Sequence, residues 1–205
     1  PGTEEFIDSL KHMDSTADKV NAVYQYVKKN IGWDKHYTFY ADDLVAVWND
    51  KQGNSAEINI IMLNLLRKAG IDCYPVLFST RQNGKIDINF PNISQFNSVD
   101  ILIFNGENFY ILDGAEDHIS FRIPPLNILN RDALVIDQQN SKWVNIVDPR
   151  PLLRDSASII ATLDEDGLLT GEAVITYYDL SRASKIEEDN KENKEDDDDL
   201  YLLND

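Results

Sequence analysis

Few side chains in this sequence are equipped for chemistry. Among its 205 residues there is one cysteine, Cys73, and there are three histidines, His12, His36 and His118. A single thiol excludes an internal disulfide framework and a cysteine-based zinc site. Asp164-Glu165-Asp166-Gly167 has the opening of a calcium loop, but Leu168, Thr170 and Glu172 follow without the ligand spacing such a loop requires. With apolar runs on both sides, a hairpin turn is the expectation there. Residues 187–199 (EEDNKENKEDDDD) carry nine acids and two lysines, a block that attracts cations or a basic partner but is by default a solvated linker. The aromatics Trp33, Tyr37, Phe39, Tyr40 and Trp48 are interspersed with Lys35, His36, Asp42 and Asp43. Most of these rings should be core, and exposed ones among them can line a carbohydrate or peptide groove. No residue set calls for a cofactor or a metal ion.

The composition bounds what such residues can serve. Apolar residues make up 42% of the chain and charged residues 27%, which suits one folded domain, or one domain plus a small annex. The formal net charge is −17 and the pI about 4.4, so attraction to nucleic acid or anionic lipid is disfavoured. No run approaches the roughly 20 apolar residues of a membrane span. The chain opens Pro1-Gly2-Thr3 without methionine, the expectation for a processed or excised piece of a longer protein.

The elements that must position these residues are legible in part. DSTADKVNAVYQYVKKNI predicts a helix: Ser15 and Asp18 form a capping-box arrangement, Val20, Val23, Tyr24, Val27 and Ile31 recur at helical spacing, and Lys28 and Lys29 suit the C-terminal end. SAEINIIMLNLLRKAGI predicts a second helix, with Ser55 as its N-cap, an apolar stripe of Ile58, Ile61, Met62, Leu65, Leu66 and Ala69, and Gly70 as C-terminal cap. Asn59 and Asn64 within that stripe's neighbourhood imply deep packing with local polar partners. Cys73 to Thr80 reads as a strand, with Pro75 marking an edge or bulge because it cannot donate to a ladder. Residues 85–95 read as a loop. Then SVDILIF and ENFYILD flank Asn105-Gly106, the strongest short hairpin signal. If those two residues are the turn, Phe104 faces Glu107, and Ser98 lies opposite Asp113 on the same sheet face. A strand is expected around Trp143 to Val147, and a second hairpin from ASIIATL and GEAVITYY around Asp164–Gly167. The fold class is α+β, with one domain over 1–150, a β-hairpin extension or the start of an accessory β-domain over 151–186, and the acidic tail over 187–205.

This order resembles the transglutaminase-like superfamily, the papain-like thiol acyltransferases and hydrolases. KQGNSAEINIIMLNLLRKAGIDCYPVLFSTR resembles the segment in which Gly-x-Cys begins the catalytic helix and a Leu-Leu-Arg-x-Ala-Gly-Ile phrase ends it. FNSVDILIFNGENFYILDGA resembles the later segment, where one strand supplies histidine and the next aspartate. The likeness runs from about Asp18 to Asp113 and is greatest to versions in large bacterial envelope proteins that append a small β-rich domain, as residues 157–178 would. It therefore implies a periplasmic or cell-envelope setting.

In the active version of that fold, a cysteine at a helix N-terminus has its thiolate stabilised by the dipole and an adjacent imidazolium. Histidine shuttles the proton and aspartate fixes its tautomer. Carried over by resemblance, the cysteine position is Ser55, the histidine position Ser98 and the aspartate position Asp113. Two of three members are replaced, and no histidine falls in the base position: His12 and His36 precede the helix, and His118 follows Asp113 by five residues. The resemblance thus implies a domain without catalysis that binds a protein, peptide or carbohydrate at the old groove, or supports neighbouring domains of a longer chain. The alternative is a peptidase, amidase or acyltransferase that uses Ser55 as nucleophile with His118 as base. Asp113 has a plain reading too, as a satisfied polar partner of Ser98.

Overall fold

The computed structural model describes residues 2–106, 108–115, 120–129, 131–148, 152–186 and 188–190. Two compact units make up the chain, residues 1–117 with 121–149, and 118–120 with 150–205.

The first unit begins with helices α1 (Glu4–Leu10) and α2 (Thr16–Asn30). Ser15 caps α2 by accepting the Asp18 N–H, and the expected stripe turns Val20, Val23, Tyr24 and Val27 inward. A two-residue strand β1 (Gly32–Trp33) pairs in parallel with β2 (Gln52–Gly53), across the short helix α3 (Leu44–Asp50). Helix α4 (Ser55–Lys68) follows, buried on most faces: Ile58, Met62 and Leu66 are fully enclosed. They pack with the α2 stripe and with Cys73, Ile101, Ile103 and Leu112 of the sheet in one core. Each such side chain contributes roughly 1.5–3 kcal/mol on burial. Asn64, expected to be packed, is exposed; it falls on the one side of α4 that faces water.

The sheet has five strands in the order β5-β4-β3-β6-β7, each antiparallel to its neighbours. These are β3 (Cys73–Phe78), β4 (Ser98–Asn105), β5 (Asn108–Leu112), β6 (Arg131–Val135) and β7 (Lys142–Ile146). The α+β class holds, with helices packed on an antiparallel sheet. Two expectations are corrected. Pro75 does not mark an edge, because β6 arrives from far along the chain and makes β3 interior. The missing N–H falls where the β3–β6 ladder ends, on a single bond from the Ile136 N–H to the Pro75 carbonyl. The hairpin forms, but Asn105 pairs with Asn108 and Phe104 with Phe109, a ladder displaced by two residues from the expected one. Glu107, the expected partner of Phe104, lies outside the described residues. The slip keeps every side chain on its face, so burial does not oppose it.

In the second unit, β8 (Leu153–Leu163) and β9 (Leu169–Tyr178) pair along their whole length. Asp164 organises the turn as expected of a hairpin: its carboxylate accepts the N–H groups of Asp166 and Leu168, and Gly167 takes the left-handed conformation, φ 83°. Helical turns follow over 179–186 and 188–190. The rest of the acidic run, and Leu200 to Leu203, lie outside the described residues.

Candidate functional site

The start of α4 is held from three directions. Asn54, not Ser55, is the N-cap. Its side chain accepts the Glu57 N–H at 2.9 Å, and the Glu57 carboxylate accepts the Asn54 N–H at 2.9 Å, a complete capping box. Ser55 is therefore the first residue inside the helix, freed from capping. Segment 34–38 lies across it. The Ser55 N–H donates to the His36 carbonyl at 3.1 Å, which also accepts the Trp33 indole N–H. The Ser55 hydroxyl accepts the Thr38 N–H at 3.0 Å and donates to the Thr38 carbonyl at 3.1 Å. Its exposure is 0%. The β1–β2 bridge, with the Asp34 N–H on the Gly53 carbonyl, registers this segment against the helix start.

Ser98 opens β4 and is buried, but its hydroxyl donates to the Asp100 carboxylate at 2.9 Å. The expected Ser98–Asp113 pairing is overturned: the two-residue displacement carries Asp113 past Ser98. Asp113, just after β5, meets α4 instead, accepting from the Asn59 amide at 2.9 Å and from the Ala115 N–H at 2.9 Å. Asn59 also donates to the Val99 carbonyl and accepts the Gly114 N–H at 2.7 Å. It sits one turn along α4 from Ser55, and joins the helix to β4 and to the end of β5. This amide is the site residue that triad reasoning passed over; its signal was a polar residue inside an apolar helix face.

The other candidates are placed as follows. Cys73 is buried in the core as its phase implied, and burial pushes its thiol up to about 11, away from nucleophilic use at neutral pH. His12 and His36 are exposed, and His118 lies outside the described residues. Of the aromatics, Trp48 stacks toward Tyr26, which stacks on Phe6 of α1. Trp33 meets Tyr37 edge-on at 4.7 Å under the Lys35 ammonium, and Phe39 lies beside an exposed Tyr40. Those four rings belong to the stretch that overlies Ser55.

The sequence profile of the Transglutaminase-like superfamily matches residues 5–118, more than half of the chain. The chain belongs to the transglutaminase-like superfamily. A crystal structure of a candidate protease from Parabacteroides distasonis shares the fold of this transglutaminase-like domain, with a TM-score of 0.51 at 13% identity over 71% of this chain and 27% of that one. A candidate cysteine protease from Cytophaga hutchinsonii aligns at TM-score 0.41 and 12% identity, over 85% of this chain and 57% of that one. A crystal structure of a TGase aligns at 0.40 and 19%, over 57% and 31%. The chain thus spans about a quarter of the length of the first of these, and no curated protein matches it in sequence. Within the transglutaminase-like fold, the three positions assigned by resemblance have separate partners among the described residues: Thr38 for Ser55, Asp100 for Ser98, Asn59 for Asp113.

Proposed function

We propose that this transglutaminase-like domain has kept the fold without the chemistry, and acts as a binding or structural module of a larger cell-envelope protein. The observation that carries this reading is the state of Ser55. A nucleophilic serine must present its oxygen to a carbonyl and pass its proton to a base. Here the oxygen is fully buried and its proton points at a backbone carbonyl that cannot take it. Ser98, in the base position by resemblance, offers a hydroxyl that cannot accept a proton at neutral pH. The envelope setting rests on the resemblance to large envelope proteins, and the longer relatives agree with a module of a larger chain. The aromatic surface formed by Trp33, Tyr37, Phe39 and Tyr40 is the one we assign to a peptide, protein or carbohydrate ligand.

The test compares wild type with Ser55→Ala on glutamine-donor and peptide substrates, with fluorophosphonate labelling in parallel. Losing one essential member of a triad costs on the order of 10⁶ in rate, and losing a second adds little. Both proteins should therefore show the same background and no label. Turnover present in wild type and gone in Ser55→Ala would return the domain to the enzymes and point to His118 as the base.

A further inference from the structure

The β8–β9 ribbon sorts its side chains by parity. Pairing places Leu163 opposite Leu169, Ala161 opposite Gly171, Ile159 opposite Ala173 and Ala157 opposite Ile175. These eight residues share one face, and none carries a polar side chain; the row beyond them on that face, Asp155 opposite Tyr177, closes it with a carboxylate and a phenol. The other face presents Arg154, Ser156, Ser158, Thr162, Thr170, Glu172 and Thr176, with Ile160 and Val174 in its middle rows and Tyr178 at its end. The alternation is that of a strand pair with one side meant for burial. Yet among the described residues nothing covers the apolar side: Ile159, Leu163, Leu169 and Ile175 are all exposed. A two-stranded hairpin is marginal by itself, and an uncovered aliphatic face of this length marks a contact surface.

We propose that this face docks a β-sheet of another polypeptide, one whose aliphatic face is bordered by lysine or arginine. Large and small aliphatic side chains set side by side on one face are what aligned sheet-on-sheet packing interdigitates, with the small Ala161/Gly171 row receiving a partner side chain between Ile159 and Leu163/Leu169. A second copy of this chain is the poorer occupant on two grounds. Strands of 10 and 11 residues make a footprint about 35 Å long and about 10–15 Å wide, on the order of 400–500 Å², against about 800 Å² per partner in stable complexes. The unit is also acidic, with eight carboxylates against three cations among the described residues of 152–190, in a chain of net charge −17. Two copies would repel across a small contact. A basic rim reverses that sign, adding to the apolar contact what the area lacks. The proposal is independent of the chemistry assigned to Ser55.

The probe is a disulfide-closed hairpin peptide with valine on one face and lysine along its rim, set against the same peptide with glutamate for lysine. Binding to the full chain is followed by fluorescence anisotropy at low and high salt. The lysine peptide should bind at least about tenfold tighter than the glutamate peptide, with the advantage shrinking as salt rises. Ile159→Asp and Ile175→Asp should each abolish binding. Ile160→Asp, the neighbouring residue on the opposite face, should leave it unchanged; Ile159 and Ile160 are 66% and 78% exposed, so neither change disturbs a core. No binding of the lysine peptide, equal binding of the two peptides, or equal effects of Ile159→Asp and Ile160→Asp would overturn the proposal. So would sedimentation showing a dimer that Ile159→Asp dissolves, which would make a second copy the occupant.

Discussion

At the scale of single residues, Asn59 holds more of the site together than any of the three positions assigned by resemblance, Ser55, Ser98 and Asp113. Its amide reaches the Val99 carbonyl and the Asp113 carboxylate, and its oxygen takes the Gly114 N–H, all out of contact with water. Asn59→Leu keeps the volume and removes these bonds from buried groups, so it should destabilise by about 3 kcal/mol or more, read from a urea midpoint. Asn64→Leu, on the same helix but in solvent, should stay within about 0.5 kcal/mol. Cys73 makes a second prediction. Because its pKa is about 11 in the folded chain and lower in an unfolded one, folding favours the protonated thiol. That contribution is complete below the ordinary thiol pKa of 9.0 and is lost as pH rises through 11. The stability advantage of wild type over Cys73→Val should therefore shrink by about 2 kcal/mol between pH 8 and pH 11 in paired denaturant titrations. The need of Asn59 for partners could be read from its place in the apolar stripe. Their identity could not, since they lie 40 to 55 residues downstream and only tertiary packing brings them in.

At the scale of elements, helix α4 and the end of β5 fit so closely that glycine is required between them. A Cβ on Gly114 would come within 2.6 Å of the Met62 methyl and 2.7 Å of the Ile58 Cγ2. Gly114→Ala should cost about 1–3 kcal/mol in thermal or chemical unfolding, because Ile58 is a branched core side chain with nowhere to move. The cap can be tested separately. Asn54→Ala removes half of the capping box and should cost about 1 kcal/mol, whereas a cap at Ser55 would have put that loss one residue later. This one-residue difference shows where local pattern stops informing: Asn54 and Ser55 both favour the capping position, and the overlying segment 34–38 decides between them by engaging the Ser55 hydroxyl. The Asn105-Gly106 pair likewise announced a hairpin but not its register, since a two-residue slip leaves both faces unchanged. Strand β6 was missed because its hydrophobic run, Ala133 to Ile136, is only four residues and carries no turn signal of its own; pairing with β3 defines it.

At the scale of the whole molecule, charge is the dominant feature. A net −17 on 205 residues opposes compaction everywhere at once, and added salt screens it. The melting temperature should rise by several degrees between about 20 mM and about 500 mM sodium chloride, and fail to do so in a variant with the 187–199 acids neutralised only if that run is the main source of repulsion. The order in which the sheet closes sets a different demand. Residues 55–115 bring α4, β3, β4 and β5 together, but the other side of β3 waits for β6, more than 50 residues further along. During synthesis that side is a temporary open border, able to recruit the wrong chain on a crowded ribosome. Pro75 stands on it with no amide hydrogen to offer, and its carbonyl is claimed by Ile136 only when the late strand arrives. The proline that reads as an edge residue thus guards β3 for as long as β3 is one.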